Sequence, residues 1–221
     1  MANIATSRWE RPACWLWAHE NTTYIFMKAV ELHDHLCPGI SSGFLEANYI
    51  EDKLQITDYN NQSYKVISCP NWCKEDCFLA AWDCTPGKSG LFYRNTPMLA
   101  AGCAAASSLA KYLTTDETNA LKKKYNTSVA GIFVRWNASS NSGDGLVLGF
   151  NLDKGFNMSH SDTWPAWASR LKMDEILMDS ARSPEDFVFT IKEFHLENLN
   201  DLQVLQGEGI NPLKVLGVES S

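Results

Sequence analysis

Glu31-Leu32-His33-Asp34-His35-Leu36-Cys37-Pro38-Gly39 sets three metal-capable side chains within five residues, and its reading decides what fold and chemistry to expect around it. In a helix His33 and Cys37, four apart, share a face; in extended backbone His33, His35 and Cys37 all do. Either way at least two ligand atoms converge. Pro38 suits the first position of a helix, and Gly39-Ile40-Ser41-Ser42-Gly43-Phe44-Leu45-Glu46-Ala47 reads as a short helix rich in small residues. Cys37 then stands at a helix N-terminus, where free N–H groups and the dipole favour a thiolate. A depressed pKa, and a catalytic or metal-binding role, are expected for it. The two histidines beside it complete a zinc-type donor set. The structural alternative is a small buried Cys37 with the histidines closing a helix against its last carbonyls. It suits any one of these residues better than all three together.

Upstream, Thr22 or Thr23 caps a helix running through Tyr24, Phe26, Met27 and Val30 to the histidines. Before it, Trp9, Cys14, Trp15, Trp17 and His19 form an aromatic cluster expected to pack as a flap on the core or on a second protomer. Downstream, residues 54–58 and 63–68 read as strands about the polar turn Asn60-Asn61-Gln62. Cys69, Cys73 and Cys77 follow at intervals of four, so their sulfurs would line one helical face starting at Pro70. With Cys84 they make a second ligand reservoir. This spacing matches neither a zinc ribbon nor a ferredoxin run, which leaves an iron–sulfur cluster as an alternative cofactor; a Cys69–Cys73 disulfide or buried thiols is the structural alternative. Thr85-Pro86-Gly87-Lys88-Ser89-Gly90 lacks the upstream glycine of a phosphate loop. It reads as a turn into the strand Leu91-Phe92-Tyr93, with Lys88 available to an anionic substrate or a carboxylate.

Two blocks of this chain resemble the FmdE family, whose members include a component of formylmethanofuran dehydrogenase and stand-alone relatives. Leu32-His33-Asp34-His35-Leu36-Cys37-Pro38-Gly39 is similar to the family's Phe-His-Gly-His-Leu-Cys-Pro-Gly segment, with Leu for Phe and Asp for the middle Gly. Asp76-Cys77-Phe78-Leu79-Ala80-Ala81-Trp82-Asp83-Cys84-Thr85-Pro86-Gly87-Lys88 resembles the family's second block, bringing Cys77, Cys84, Gly87 and Lys88 into register. The acidic residue between the two cysteines is absent, and Asp83 replaces a glycine. The resemblance covers residues 20 to 95 well. It implies an α+β domain paired as a dimer, with zinc held by His33, His35, Cys37 and Cys77 or Cys84, and Cys37 and Lys88 as catalytic candidates. It also implies a link to archaeal C1 metabolism and methanogenesis, as a free-standing protein or as the partner of a larger enzyme complex.

Further along, residues 98–113 and 116–125 read as helices, the second with a Thr114–Glu117 capping box; Cys103 is expected to pack. Residues 130–136 and 146–150 are expected strands of a hairpin through Asn141-Ser142-Gly143-Asp144-Gly145. From Phe156 the character changes: a helix from Asp162 or Thr163 carries Trp167, Leu171, Ile176, Leu177 and Met178, then comes a strand at 187–191, and a final helix capped by Asn200 or Asp201 is broken by Gly207 and Gly209. His160 and His195 stand alone and read as structural. The expected architecture is α+β: a mixed or antiparallel sheet packed with helices over residues 1–155, and a helix-strand-helix extension over 156–221 packed on that core.

At 45% hydrophobic and 20% charged residues the 221-residue chain reads as globular. A net charge of -7 argues against a nucleic-acid backbone as partner, and Lys122-Lys123-Lys124 reads as a solvated helix end. No stretch reaches the length of a membrane span. The odd count of seven cysteines suits metal-binding thiols in a reducing compartment, and the N-terminus lacks a signal peptide's apolar core. Against the cytoplasm stand sequons at Asn21, Asn61, Asn126, Asn137 and Asn157, which suit an exported protein. A thiol-redox or electron-transfer protein built on Cys69, Cys73, Cys77 and Cys84 is the competing functional reading.

Overall fold

The computed structural model of the chain describes residues 24–69, 73–93, 128–151, 154 and 166–218. The expectations for residues 8–19, 98–113 and 116–125, with Cys14, Cys103 and His160, lie outside these. Helix α1 (Tyr24–His33) ends at the first histidine. There Asp34 adopts a left-handed conformation, φ 69°, and its N–H donates to the Glu31 carbonyl at 3.2 Å, turning the chain. Helix α2 (Pro38–Lys53) follows, with Cys37 as its extended N-cap and Pro38 in its first turn, as the sequence predicts. Residues 40–47 of α2 are all buried, so the helix is enclosed from more than one side. Ile40 and Phe44 pack with Phe26, Ala29 and Val30 of α1, while Leu45, Tyr49 and Ile50 join the core against the sheet.

That sheet is mixed and five-stranded, in the order β2-β1-β3-β4-β5. It comprises β1 (Gln62–Ser68), β2 (Leu91–Tyr93), β3 (Ser128–Asn137), β4 (Ser142–Phe150) and β5 (Val188–Leu196). β1 and β2 run parallel and every other pairing is antiparallel. Helix α3 (Glu75–Trp82) lies between β1 and β2 in the chain. Strand alternation divides the core in two. Tyr64, Val66 and Phe133 face α2, α3 and helix α4 (Ala166–Asp179); Ile67, Ile132 and Val134 face α5 (Leu199–Gln206) and α6 (Pro212–Val215). The fold is therefore α+β. Helix α4 contacts α2, and β5 pairs along β4, so residues beyond 156 build part of the same sheet and core.

Several local expectations change. Residues 54–58 are not a strand: Leu54 caps α2, donating to Ile50 at 2.7 Å with its side chain buried, and the Thr57 and Asp58 amides donate to the Gln62 side chain in a turn. The hairpin turn is tighter than expected, closing at residues 138–141 with Asn141 at φ 54°; Gly143, Asp144 and Gly145 lie within β4. Gly145 is there because Phe194 of β5 lies across it, and a Cβ would come within 2.2 Å of that ring. Helix α5 is capped by Asn198 rather than Asn200 or Asp201, its side chain accepting from both their amides, and a further short helix, α6, follows it. Among the described residues no helix is long and apolar enough to cross a membrane.

Candidate metal centre

Three segment ends meet at one point: the C-terminus of α1, the N-terminus of α2 and the lead-in to α3. The left-handed turn at Asp34 reverses the chain so that His33, His35 and Cys37 converge, with their ligand atoms all within 4.8 Å of one another. The two imidazole rings lie 4.4 Å apart, tilted by 42°. From the α3 side come Cys73 and Asp76. Gly39 shows how closely Cys73 approaches, because a Cβ on Gly39 would stand 3.3 Å from the Cys73 sulfur and 3.6 Å from the Cys37 sulfur. The same is true one turn along, where a Cβ on Gly43 would stand 2.5 Å from the Lys74 carbonyl oxygen. Two glycines thus let the start of α3 lie against α2, main chain on main chain at Gly43 and through the Cys73 side chain at Gly39.

The electrostatics follow from this packing. The Asp76 carboxylate holds His33 Nδ1 at 2.7 Å, and the two side chains are only 26% and 17% exposed. His33 Nε2 is buried and makes no geometrically sound hydrogen bond. The Cys37 sulfur and the Asp76 carboxylate raise the His33 pKa against the opposing effect of burial. Contrary to the expected depression at a helix N-terminus, the Cys37 thiol is pushed far up, first by its hydrogen bond with Cys73 and then by burial. It is Cys73 whose pKa falls, because Cys37 donates to its sulfur. Of the two thiols, Cys73 is therefore the one that ionises more readily.

The other cysteines are placed differently. Cys77 is buried one turn into α3, and its thiol donates to the Ile40 carbonyl at 3.0 Å. Cys84 is buried under the sheet edge and donates to the Tyr64 carbonyl at 3.3 Å, with burial pushing its pKa up to about 12. Cys69 donates to the Ile67 carbonyl at 3.6 Å and is also raised to about 12 by burial. Cys69 and Cys73 are free thiols, and Cys69, Cys73 and Cys77 do not share one helical face, because α3 begins only at Glu75 and Cys69 belongs with the sheet core. Lys88, in a short helical turn after α3, is exposed and paired with Asp83, and His195 pairs with Asp144 at 2.8 Å.

The structure therefore brings together His33, His35 and Cys37 and adds two residues outside the ligand set read from sequence, Cys73 and Asp76. Their signal was available: Cys73, Asp76 and Cys77 stand at i, i+3 and i+4, one face of a helical segment. Beneath them lies a buried polar layer. Lys74 is fully buried and paired with Glu75, which also accepts from Ser68. Glu46 of α2 is fully buried with neither oxygen hydrogen-bonded, and burial pushes its pKa up to about 8 despite Lys74 nearby.

His33, His35 and Cys37 form a cluster with the donor chemistry to hold a metal ion, one imidazole anchored by a carboxylate and Cys73 beside it, on an α+β domain. Residues 32–131 match the family model described as "FmdE, Molybdenum formylmethanofuran dehydrogenase operon". The match opens at Leu32, at the start of the His/Cys motif, and ends within β3. No curated protein matches the chain.

Proposed function

We propose that the chain binds a zinc-type metal ion through His33, His35, Cys37 and Cys73 and serves the C1 chemistry named in the matched family's description. The observation that carries this reading is His33. One ring nitrogen is held by Asp76, and the other is buried, unpartnered and beside the Cys37 sulfur. A carboxylate on the distal nitrogen fixes tautomer and ring orientation and strengthens the imidazole as a donor. Two nitrogens with two sulfurs suit zinc in number and softness. Bound zinc supplies a structural cross-link or, with one position given to water or substrate, a Lewis acid.

The residues' own part is to prepare charge and orientation. Both thiols give up their protons when their sulfurs bind a cation, Cys73 more readily than Cys37, so affinity rises with pH. Cys37, at the opening of α2, is the sulfur proposed to act as the reactive group. Lys88, the second catalytic candidate from sequence, is held by Asp83 beyond the far end of α3 and enters the proposal only as a contact for an anionic group binding there. Cys77 and Cys84 are left out of the proposed ligand set because each thiol is committed to a main-chain carbonyl. The iron–sulfur alternative has less support, since of Cys69, Cys73, Cys77 and Cys84 only Cys73 reaches the histidines' cluster.

The test is plasma mass spectrometry with a visible spectrum on anaerobically purified protein. Near-stoichiometric zinc without colour is expected, with Cys37→Ser and Cys73→Ser each losing most of it and Cys84→Ala keeping it. Iron with sulfide, or equal retention in all three variants, overturns the reading.

A further inference from the structure

Cys37 and Cys73 face each other across one seam, the first as N-cap of α2 and the second in the lead-in to α3. Gly39 measures how near they are. Both sulfurs lie within 3.6 Å of the single point that a Gly39 Cβ would occupy, and the Cys73 Cβ is 2.6 Å from it. The two side chains are hydrogen-bonded to each other there. The contact of Gly43 with the Lys74 main chain holds the seam closed, so the sulfurs are brought together by packed helices and not by a chance encounter of loops. Such close approach of the carrying segments is what a disulfide requires.

The pair also differs from the other described cysteines in access. Cys69, Cys77 and Cys84 are at most 2% exposed, and their thiols donate to the carbonyls of Ile67, Ile40 and Tyr64. Cys37 and Cys73 are both part-exposed free thiols, bonded to each other and, for Cys37, to His33. A dissolved oxidant therefore reaches this pair before the other three. Two thiols that a fold holds together meet at high effective concentration, which favours an internal bridge over separate mixed disulfides.

We propose that Cys37 and Cys73 form a reversible disulfide, with a small disulfide such as oxidised glutathione as the oxidant, and that this bridge and a bound metal exclude each other. The second half rests on the metal reading above; the first does not. One sulfur of the pair, having lost its proton, attacks a sulfur of the glutathione disulfide. That S–S bond breaks, a mixed disulfide forms, and one glutathione leaves as a thiolate that takes up the proton. The other cysteine sulfur, losing its own proton, attacks the protein sulfur of the mixed disulfide and expels the second glutathione, which is protonated in turn. Two protein thiols lose two electrons, and one glutathione disulfide is reduced to two thiols. Neither sulfur is then a thiolate, so the cluster keeps only His33 and His35 as donors, too few to hold a zinc-type ion.

The full chain, stripped of metal by a chelator, is equilibrated in glutathione buffers of stepped ratio, alkylated, digested and mapped by mass spectrometry. A peptide cross-linked through Cys37 and Cys73 is expected, and dithiothreitol should return both thiols. Cys37→Ser and Cys73→Ser should each stop at a mixed disulfide on the remaining cysteine; alanine variants serve if circular dichroism shows a serine variant unfolded. Free zinc at about ten times its dissociation constant is expected to cut bridging about tenfold. No bridge between these two cysteines, a bridge to another cysteine in its place, or a mixed disulfide that persists in the natural chain overturns the assignment. Bridging that zinc leaves unchanged in a chain that takes up zinc overturns the exclusion. Bridging in a chain that takes up no zinc upholds the disulfide and strikes the metal reading instead.

Discussion

At the start of α3, Cys73 is half-buried, hydrogen-bonded to Cys37 and close to a histidine with an unpartnered nitrogen; just past its end, Cys84 is buried, with its thiol held by the Tyr64 carbonyl. The acids differ in the same way. Asp76 orients His33 inside the cluster, whereas Asp83 meets Lys88 in solvent, where such a pair contributes little. One short helix thus carries a thiol and a carboxylate near each end with opposite chemistry. What separates them is what the donors are committed to: at the first end an unpartnered histidine nitrogen lies beside two sulfurs hydrogen-bonded to each other, at the second the thiol is tied to a main-chain carbonyl and the lysine to an aspartate.

The largest effect should come from testing the two acids against each other. Asp76→Asn is expected to lower zinc affinity about 10- to 100-fold, the usual consequence of losing a histidine's carboxylate anchor, while Asp83→Asn leaves it unchanged. Competition with a chromogenic chelator measures both, and equal losses would dissolve the contrast.

A smaller effect concerns Glu46, which faces Lys74 and Glu75 across the helix interface. Unfolded, its carboxyl ionises near the usual 4.5; folded, it keeps its proton up to about 8. The folded state therefore binds more protons between these values, and its stability falls as pH rises through that window. Urea unfolding should show Glu46→Gln gaining on the natural chain by about 1–3 kcal/mol between pH 5 and pH 8.5. His33 is raised in the same direction but is common to both chains and cancels in the difference. A pH-independent difference would mean that Glu46 stays ionised throughout.

The smallest concerns Asp83, the left-handed C-cap of α3 at φ 54°. Glycine takes that conformation without strain, so Asp83→Gly should raise the melting temperature by about 2 °C even though Lys88 loses its partner. A lowered melting temperature would show that the Asp83–Lys88 pair, not the turn, decides this end of the helix.

The α+β class, the helix leading into the histidines and the helix opened by Cys37 and Pro38 were legible because caps, proline and apolar spacing all agree there. The two aspartates standing where the resemblance expects glycine, Asp34 and Asp83, are both in left-handed backbone, φ 69° and φ 54°. Aspartate is among the few residues besides glycine that visit this region readily, so the substitutions keep the turns. Cys73 was legible only as one of three equally spaced cysteines, Cys69, Cys73 and Cys77, and the late start of α3 is what distinguishes them.

The contact at Gly43 fixes a length. Since α2 and the lead-in to α3 rest backbone on backbone there, with the Cys73 side chain against Gly39, the separation of the main-chain segments that carry Cys37 and Cys73 is fixed by that contact. The two helices work as a caliper with a stiff hinge. Were one ion to bridge the two sulfurs, a larger one would be accommodated by turning the cysteine side chains and not by moving these helices apart.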